Sequence, residues 1–509
     1  MLFTTRRPPR RLSTFHRVGP SRPLILAFAW CLLTTTCFGE EPLTLPSTLA
    51  QALEAISADR MRADVRTLSS PAFNGRQTGT VGDHASADFV RQRLESLLSP
   101  PGQIELQAAP VTTTSIGQDP LLRFSRGTHD SSASIGTDYL PILDSPSADV
   151  TAKVVFVGYG IADPAGGLDE YAELDVRNKI VLFLRGKPDR YEKVVSHAEK
   201  ERVAREHGAV GYLTAVGPIL SPYELRRGVT GKPSAFYGLS APGPAIPGAW
   251  ISTALASTIL RNERSDGEDR LQRLQQQIQD QLAPRSEGTS VTVTMRWRSE
   301  QRDGMLYNVL AVLSGSGQAG DEETLVIGAH RDHFGRQGGL LFAGADDNAS
   351  GTAVLLEVAR VLASSHTKRK RSIVFASFSG EEQGLLGSFA YVAHPLMPLR
   401  STVAMLNVDH AAAGNGRLTI GVTGLEKDIV QQAGRLAGSV DRVDVFGFFP
   451  GGDHVPFKEA GIPTVTIVSG GVHPHFHQPT DTADTVNADI LLAVARMVLA
   501  TAWQLADTP

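Results

Sequence analysis

The 509-residue chain is predicted to be α/β, a largely parallel mixed sheet sandwiched by helices with a smaller α/β unit inserted in it. Three observations predict this. From about residue 288, apolar runs of strand length alternate with amphipathic runs of helical length. The strand runs are apolar throughout rather than at every second residue, as expected of strands covered on both faces. A separate group of strand and helix runs lies between about residues 118 and 287, enough chain for a core of its own.

Taken in order, residues 1–39 read as an export leader: six arginines without Lys, Asp or Glu, an apolar run from Leu24 to Leu33, then small and polar residues ending at Gly39. The apolar run is too short for a comfortable membrane span, so cleavage near Gly39 is expected, with a membrane anchor the alternative if the leader stays. Both cysteines, Cys31 and Cys37, lie in the leader, so the mature chain would have neither disulfides nor thiolate metal ligands. Removing the leader takes the formal net charge from -4 to -10, which offers no electrostatic footprint for nucleic acid or anionic lipid.

Residues 40–117 follow as a first part of the larger domain, in which Ala87, Val90, Leu94 and Leu97 recur at helical spacing. Residues 118–287 form the insertion, with strands "KVVFVGYGI", "KIVLFLRG" and "AVGYLTAV", a helix between the last two, and a solvated helix between Arg261 and Leu282. Residues 288–509 complete the larger domain. Its predicted elements are the strands "SVTVTMRW", "MLYNVLAVL", "TLVIGAH", "RSIVFASF", "STVAMLNVD" and "TVTIVS", helices between the later ones, a polar hairpin-like "SGSGQAGDEE", and a last helix from Asn487 to Leu505.

In open α/β sheets ligands collect beyond the carboxyl ends of the strands. Here those ends carry His330 and Asp332, Glu381 and Glu382, Asp409, and a loop with His473, His475 and His477, while Asp346 and Asp347 precede a helix. Taken singly, each has an ordinary explanation as a turn, a helix cap or polar surface. Their convergence on one edge points to a nitrogen and oxygen metal site, which without cysteine suits catalytic zinc, with manganese or cobalt as alternatives. Asp332, two residues from His330 and expected on the same strand face, is a natural partner to fix the imidazole tautomer. No Gly-x-Ser-x-Gly elbow, His-Glu-x-x-His helix or Gly-x-x-x-x-Gly-Lys loop occurs.

In order, "GAHRDHFG", "GADDNASG", "SFSGEEQGLLGS", "NVDHAAAG", "GGDHVPF" and "FHQPTDT" resemble the metal-site motifs of the M28 family of zinc-dependent peptidases, of the bacterial co-catalytic aminopeptidase type. The middle region resembles the protease-associated (PA) domain that many members carry as an insertion. The resemblance implies a zinc-exopeptidase-like fold and a peptide substrate. It implies two zinc ions held by His330, Asp347, Glu382, Asp409 and His477, with Asp347 bridging, a water shared by the metals as nucleophile and Glu381 as general base. Asp453 and His454 are expected on the substrate side. Bottom-up, His473 and His475 compete with His477, and only the following Pro-x-Asp-Thr selects His477. His410, where the family often has Met, and Phe476 within "FHQPTDT" depart from the family pattern. The expected activity is removal of N-terminal residues from peptides by an exported enzyme; the alternatives are a carboxypeptidase or glutaminyl cyclase of the same superfamily, or a receptor-like protein without activity.

Overall fold

The computed structural model describes residues 47–98, 104–221, 224–225, 229–239, 243–261, 269–317, 323–365 and 369–507. The leader and both cysteines lie outside the described residues, as do residues 318–322, the middle of "SGSGQAGDEE".

Two eight-stranded sheets organise the chain. The first runs, edge to edge, Ile104–Ile116, Ser299–Leu313, Ser372–Phe378, Thr324–His330, Thr402–Asp409, Thr464–Ser469, Leu418–Thr423 and Val443–Phe446. Its central four strands, from Ser372–Phe378 to Thr464–Ser469, are mutually parallel, and both flanks join them antiparallel. Every residue of Thr324–His330 is buried. Leu325, Ile327 and Ala329 pack into one core with the helices Gly351–Ser364 and Ala488–Asp507, while Val326 enters a core on the other face with Tyr391 and Phe457. Burial on both faces is why these runs are apolar at every position. The helix Ala488–Asp507 has the length and composition of a membrane span, but its apolar residues, Leu491, Val494 and Val498 among them, are in the core.

The second sheet runs His129–Ser132, Leu121–Arg126, Glu287–Trp297, Ala148–Phe156, Ile180–Leu184, Gly211–Ala215, Gly248–Ile251 and Tyr139–Pro141. The expected boundary at 287/288 falls at the start of Glu287–Trp297, whose ladder partners both belong to this sheet. The chain enters the first sheet again only with Ser299–Leu313. Thr, Val and Met alternate along "SVTVTMRW", and that period of two fits an antiparallel strand of the second sheet rather than a doubly covered parallel one.

Two further expectations are corrected. The helix expected to be solvated runs Arg270–Gln281 and buries Leu271, Leu274, Gln275 and Ile278 against the second sheet; its glutamines hid the i, i+3, i+7 apolar stripe. Between Asp409 and Thr464 the chain forms two strands, Leu418–Thr423 and Val443–Phe446, besides the expected helix Asp428–Leu436. The cores of the two sheets meet beside the loops that follow the first sheet: Phe334 and Phe342 pack with Ile116 and the second sheet's residues.

Candidate metal centre

Five segments bring the candidate residues together. His330 ends its strand, Asp409 ends the next, Glu381 and Glu382 lie in the turn after Ser372–Phe378, Asp347 lies in the turn Ala345–Ser350, and His477 lies in the loop after Thr464–Ser469. His330 Nε2 stands 3.4 Å from Asp347 Oδ1 and 3.3 Å from Asp409 Oδ1. His477 Nε2 stands 3.0 Å from Asp347 Oδ2 and 3.4 Å from Glu382 Oε2. The two oxygens of Asp347 thus face two separate groups of donors.

These spacings are compatible with a metal held between the donors. Donors placed tetrahedrally around zinc at ordinary bond lengths are about 3.3 to 3.5 Å apart. Three of the four distances match, and the fourth is slightly short. By contrast, His333 Nδ1 lies 2.7 Å from Glu382 Oε1, and His473 Nδ1 lies 2.6 Å from Asp346 Oδ2, both hydrogen-bond lengths. His333, Asp347 and Glu382 do converge, as do Asp346, His410 and His473. In each group the closest pair stands at hydrogen-bond distance. His475 is half-buried and meets Thr480 Oγ1 at 2.9 Å. His330, Asp347 and Asp409 also converge as a possible metal group, and His477 reaches both Asp347 and Glu382 through Nε2.

Outer partners complete the arrangement. His330 Nδ1 faces the main-chain oxygen of Asp332 at 3.3 Å, and His477 Nδ1 faces the main-chain oxygen of Ala235 at 2.8 Å, so each imidazole can donate there and leave Nε2 as a lone-pair donor. The strand ends at His330, so Asp332 lies past it rather than on its face. Its carboxylate is 3.7 Å from His330 Nδ1 and chiefly accepts from the amides of Glu381 and Glu382 and the hydroxyl of Thr78. Asp332 therefore sets the turn carrying both glutamates as well as the histidine.

Asp481 does the same for Asp347. Its carboxylate accepts the amides of Asp346 at 2.9 Å and Asp347 at 3.1 Å. This is the physical content of the Pro-Thr-Asp-Thr sequence after His477. Burial, with Asp346 beside it, pushes Asp481 up to about 8.

The charge balance is one-sided. Burial raises Glu381 and Glu382 well above the usual carboxylate range: the His330 charge opposes this in both, while Asp409 adds to it for Glu381 and Asp347 for Glu382. Burial alone would lower His330, yet Glu381 and Asp409 hold it well above its ordinary value. So many buried anions around two imidazoles call for further positive charge, and divalent cations would provide it. Glu381 Oε2 lies 4.0 Å from His330 Nε2, near the donors but outside both groups. His410 Nε2 lies 3.8 Å from Asp347 Oδ2; burial lowers this imidazole, but Asp347 and Asp409 push it up to about 10. Phe476 stacks on His477 with ring centroids 3.7 Å apart.

Asp453 and His454 are both buried. Burial pushes Asp453 up to about 7, within electrostatic reach of His330 and Asp409, and His454 Nε2 is taken by the carbonyl of Phe449 at 2.7 Å. Sequence reasoning missed two buried arginines beside the ligands. Arg76 donates to the carbonyls of Leu68, Arg331, Ala343 and Gly344, and Arg331 to Asp83 and to the carbonyls of Tyr307, Ser377 and Phe378. The Arg331 position between His330 and Asp332 was the available signal.

Residues 308–502, which span all five donors and Glu381, match the family model for peptidase family M28. This region of the chain is an M28 peptidase domain. Among curated relatives, aminopeptidase YwaD of Bacillus subtilis is 33% identical over 32% of this chain and 37% of its own length. A probable glutamate carboxypeptidase, VP8, of Zea mays is 28% identical over 66% of this chain and 50% of its own length. The chain thus spans half or less of these two relatives. Among solved structures, an aminopeptidase from Aneurinibacillus sp. strain AM-1 superposes with a TM-score of 0.64 at 23% identity, covering 90% of this chain and 96% of that one. A peptidase M28 precursor from Shewanella amazonensis SB2B gives 0.67 at 19% identity over the same shares. At these identities the likeness establishes the shared mixed α/β fold.

Proposed function

We propose that this M28 chain is an exported di-metal exopeptidase that removes N-terminal residues from peptides. The observation that carries this reading is Asp347, whose two oxygens face His330 with Asp409 on one side and His477 with Glu382 on the other. A single carboxylate shared by two donor groups is what a pair of neighbouring cations needs to offset their repulsion. Two zinc ions there would polarise the scissile carbonyl and lower the pKa of water toward neutrality.

The chain's own residues supply the rest. Glu381, poised beside the donors and raised by burial, takes a proton from the attacking water and returns it to the departing amine. Asp332 fixes Glu381 through its amide. The second sheet is proposed to be the PA insertion, and the arginine-rich leader supports export.

The amino end is favoured over the carboxyl end on electrostatic grounds. A substrate carboxylate calls for an unengaged guanidinium, and Arg76 and Arg331 are spent on main-chain carbonyls and Asp83. A substrate ammonium instead meets an excess of carboxylates. The carboxypeptidase reading is kept as second because the Zea mays relative matches over 66% of this chain. Digestion of a peptide library by the full-length protein, read by mass spectrometry with and without a chelator, decides between them. Metal-dependent shortening from the amino end supports the proposal; shortening from the carboxyl end supports the second reading, and shortening in metal-free protein refutes both.

A further inference from the structure

The segment 233–237 lies in the part of the chain built on the second sheet, the proposed second domain; it reaches the candidate metal centre and clasps the chain at His477. Ala235 forms a reciprocal pair with it: the Ala235 amide donates to the His477 carbonyl at 3.0 Å, and the Ala235 carbonyl faces His477 Nδ1 at 2.8 Å. Beside it, Gln478 Nε2 donates to the Pro233 carbonyl at 2.6 Å and to Ser234 Oγ at 2.9 Å. At the far end of the segment, the Tyr237 hydroxyl accepts from Gln77 Nε2 at 2.9 Å and from Gln383 Nε2 at 3.2 Å, next to Glu382.

The segment is fixed in turn to its own domain. Phe236 accepts from the Leu143 amide and packs edge-on against Trp250, and Asp144 accepts the amides of Gly238 and Leu239. The second domain therefore holds a rigid carbonyl against one particular imidazole.

Among the described residues, the other donor group takes its outer contacts from its own part of the chain. His330 takes its outer partner from Asp332, two residues along its own segment, and Asp409 ends a strand of the first sheet. We propose that the second domain is a working part of only one of the two metal positions: the 233–237 segment orients His477 so that the ion shared by Asp347, Glu382 and His477 is held tightly, while the ion at His330 and Asp409 is held by the first domain alone. This rests on the di-metal reading above. It makes the second domain a positioning device whose movement would release one metal and spare the other.

The test is a stepwise zinc titration of the full-length protein against a chromophoric competing chelator, comparing wild type with Gln478→Leu, which removes both Gln478 contacts and leaves every donor in place. Loss of an outer partner typically weakens metal binding about 10- to 100-fold. Because the Ala235 carbonyl stays on His477 in this variant, the expected result is two zinc affinities in wild type and a loss of about 10-fold, the lower end of that range, in only one of them in the variant, the other staying within about twofold. Should Gln478→Leu fail to fold, Tyr237→Phe, which frees the opposite end of the segment, is judged by the same split at a smaller size. Two unchanged affinities, or two that fall together, overturn the inference and leave the di-metal reading standing. A wild-type protein that takes up fewer than two zinc ions overturns that reading itself.

Discussion

Arg331 donates from Nη2 to Asp83 Oδ1 at 2.9 Å, and neither side chain has any solvent exposure. The pair joins the helix Val81–Leu97 to the segment that leaves the strand Thr324–His330 and carries Asp332. The same guanidinium also caps the carbonyls of Tyr307, Ser377 and Phe378. Breaking a buried pair from one side leaves the other charge unpaired, at a cost of about 3 to 5 kcal/mol. Arg331→Met is therefore expected to lower stability by that amount, read as the shift in the urea midpoint of the transition that exposes the first domain. A shift equivalent to less than about 1 kcal/mol, the range of a surface pair, would contradict this.

Asp347 gives a prediction about metal stoichiometry. Because its oxygens serve both donor groups, Asp347→Ala is expected to lose both ions on dialysis, whereas His477→Ala should lose one and keep the other. Metal analysis by mass spectrometry reads this directly. Equal losses in the two variants would mean that the groups do not act as separate positions sharing one carboxylate.

Glu381 should separate chemistry from metal binding. It stands 4.0 Å from His330 Nε2 and outside both donor groups. Glu381→Gln keeps its shape and removes its capacity to take a proton, so kcat is expected to fall by a factor of about 10² or more with the metal content of wild type. Turnover within a few-fold of wild type would dismiss Glu381 as the base.

The peptidase half was legible because its signals are local and repeated. An apolar run closed by a polar residue marks both the strand and the donor it delivers, as "TLVIGAH" does for His330 and "STVAMLNVD" for Asp409. Ranking the histidines was harder. His473, His475 and His477 are chemically alike in sequence, and only the fold shows that His477 Nε2 reaches both Asp347 and Glu382 while His473 meets Asp346 and His475 meets Thr480. The segment 233–237 was invisible for a different reason: "PSAFY" has no periodicity, and its role lies in main-chain groups that every residue except proline possesses. Arg76 was missed because arginine is ordinarily a surface residue and nothing local announces its four carbonyls, whereas Arg331 had only its place between His330 and Asp332 as a signal.

The last prediction concerns the second domain, away from the metals. Glu170 is 1% exposed, and its carboxylate accepts the amides of Tyr159 and Ile161. Burial pushes it up to about 7, against the pull of those amides and the Lys200 charge. Between the ordinary glutamate value of 4.5 and about 7, the folded chain thus holds a proton that the unfolded chain has released. Stability must fall as pH rises through that window, by up to about 1.4 kcal/mol per pH unit from this one group. Lys200, pushed down to about 7 by burial, acts in the opposite sense, but only in the range from about 7 up to 10.5, so it does not interfere below neutrality. Glu170→Gln fixes the side chain in a neutral form. Although the variant loses an acceptor and starts less stable, the gap between wild type and variant is expected to narrow steadily from about pH 4.5 to 6.5 in urea unfolding of metal-free protein. Using the difference between the two proteins cancels every other titrating group they share. A gap that stays constant or widens with pH would mean that Glu170 is already ionised in the folded domain and that its amide donors outweigh its burial.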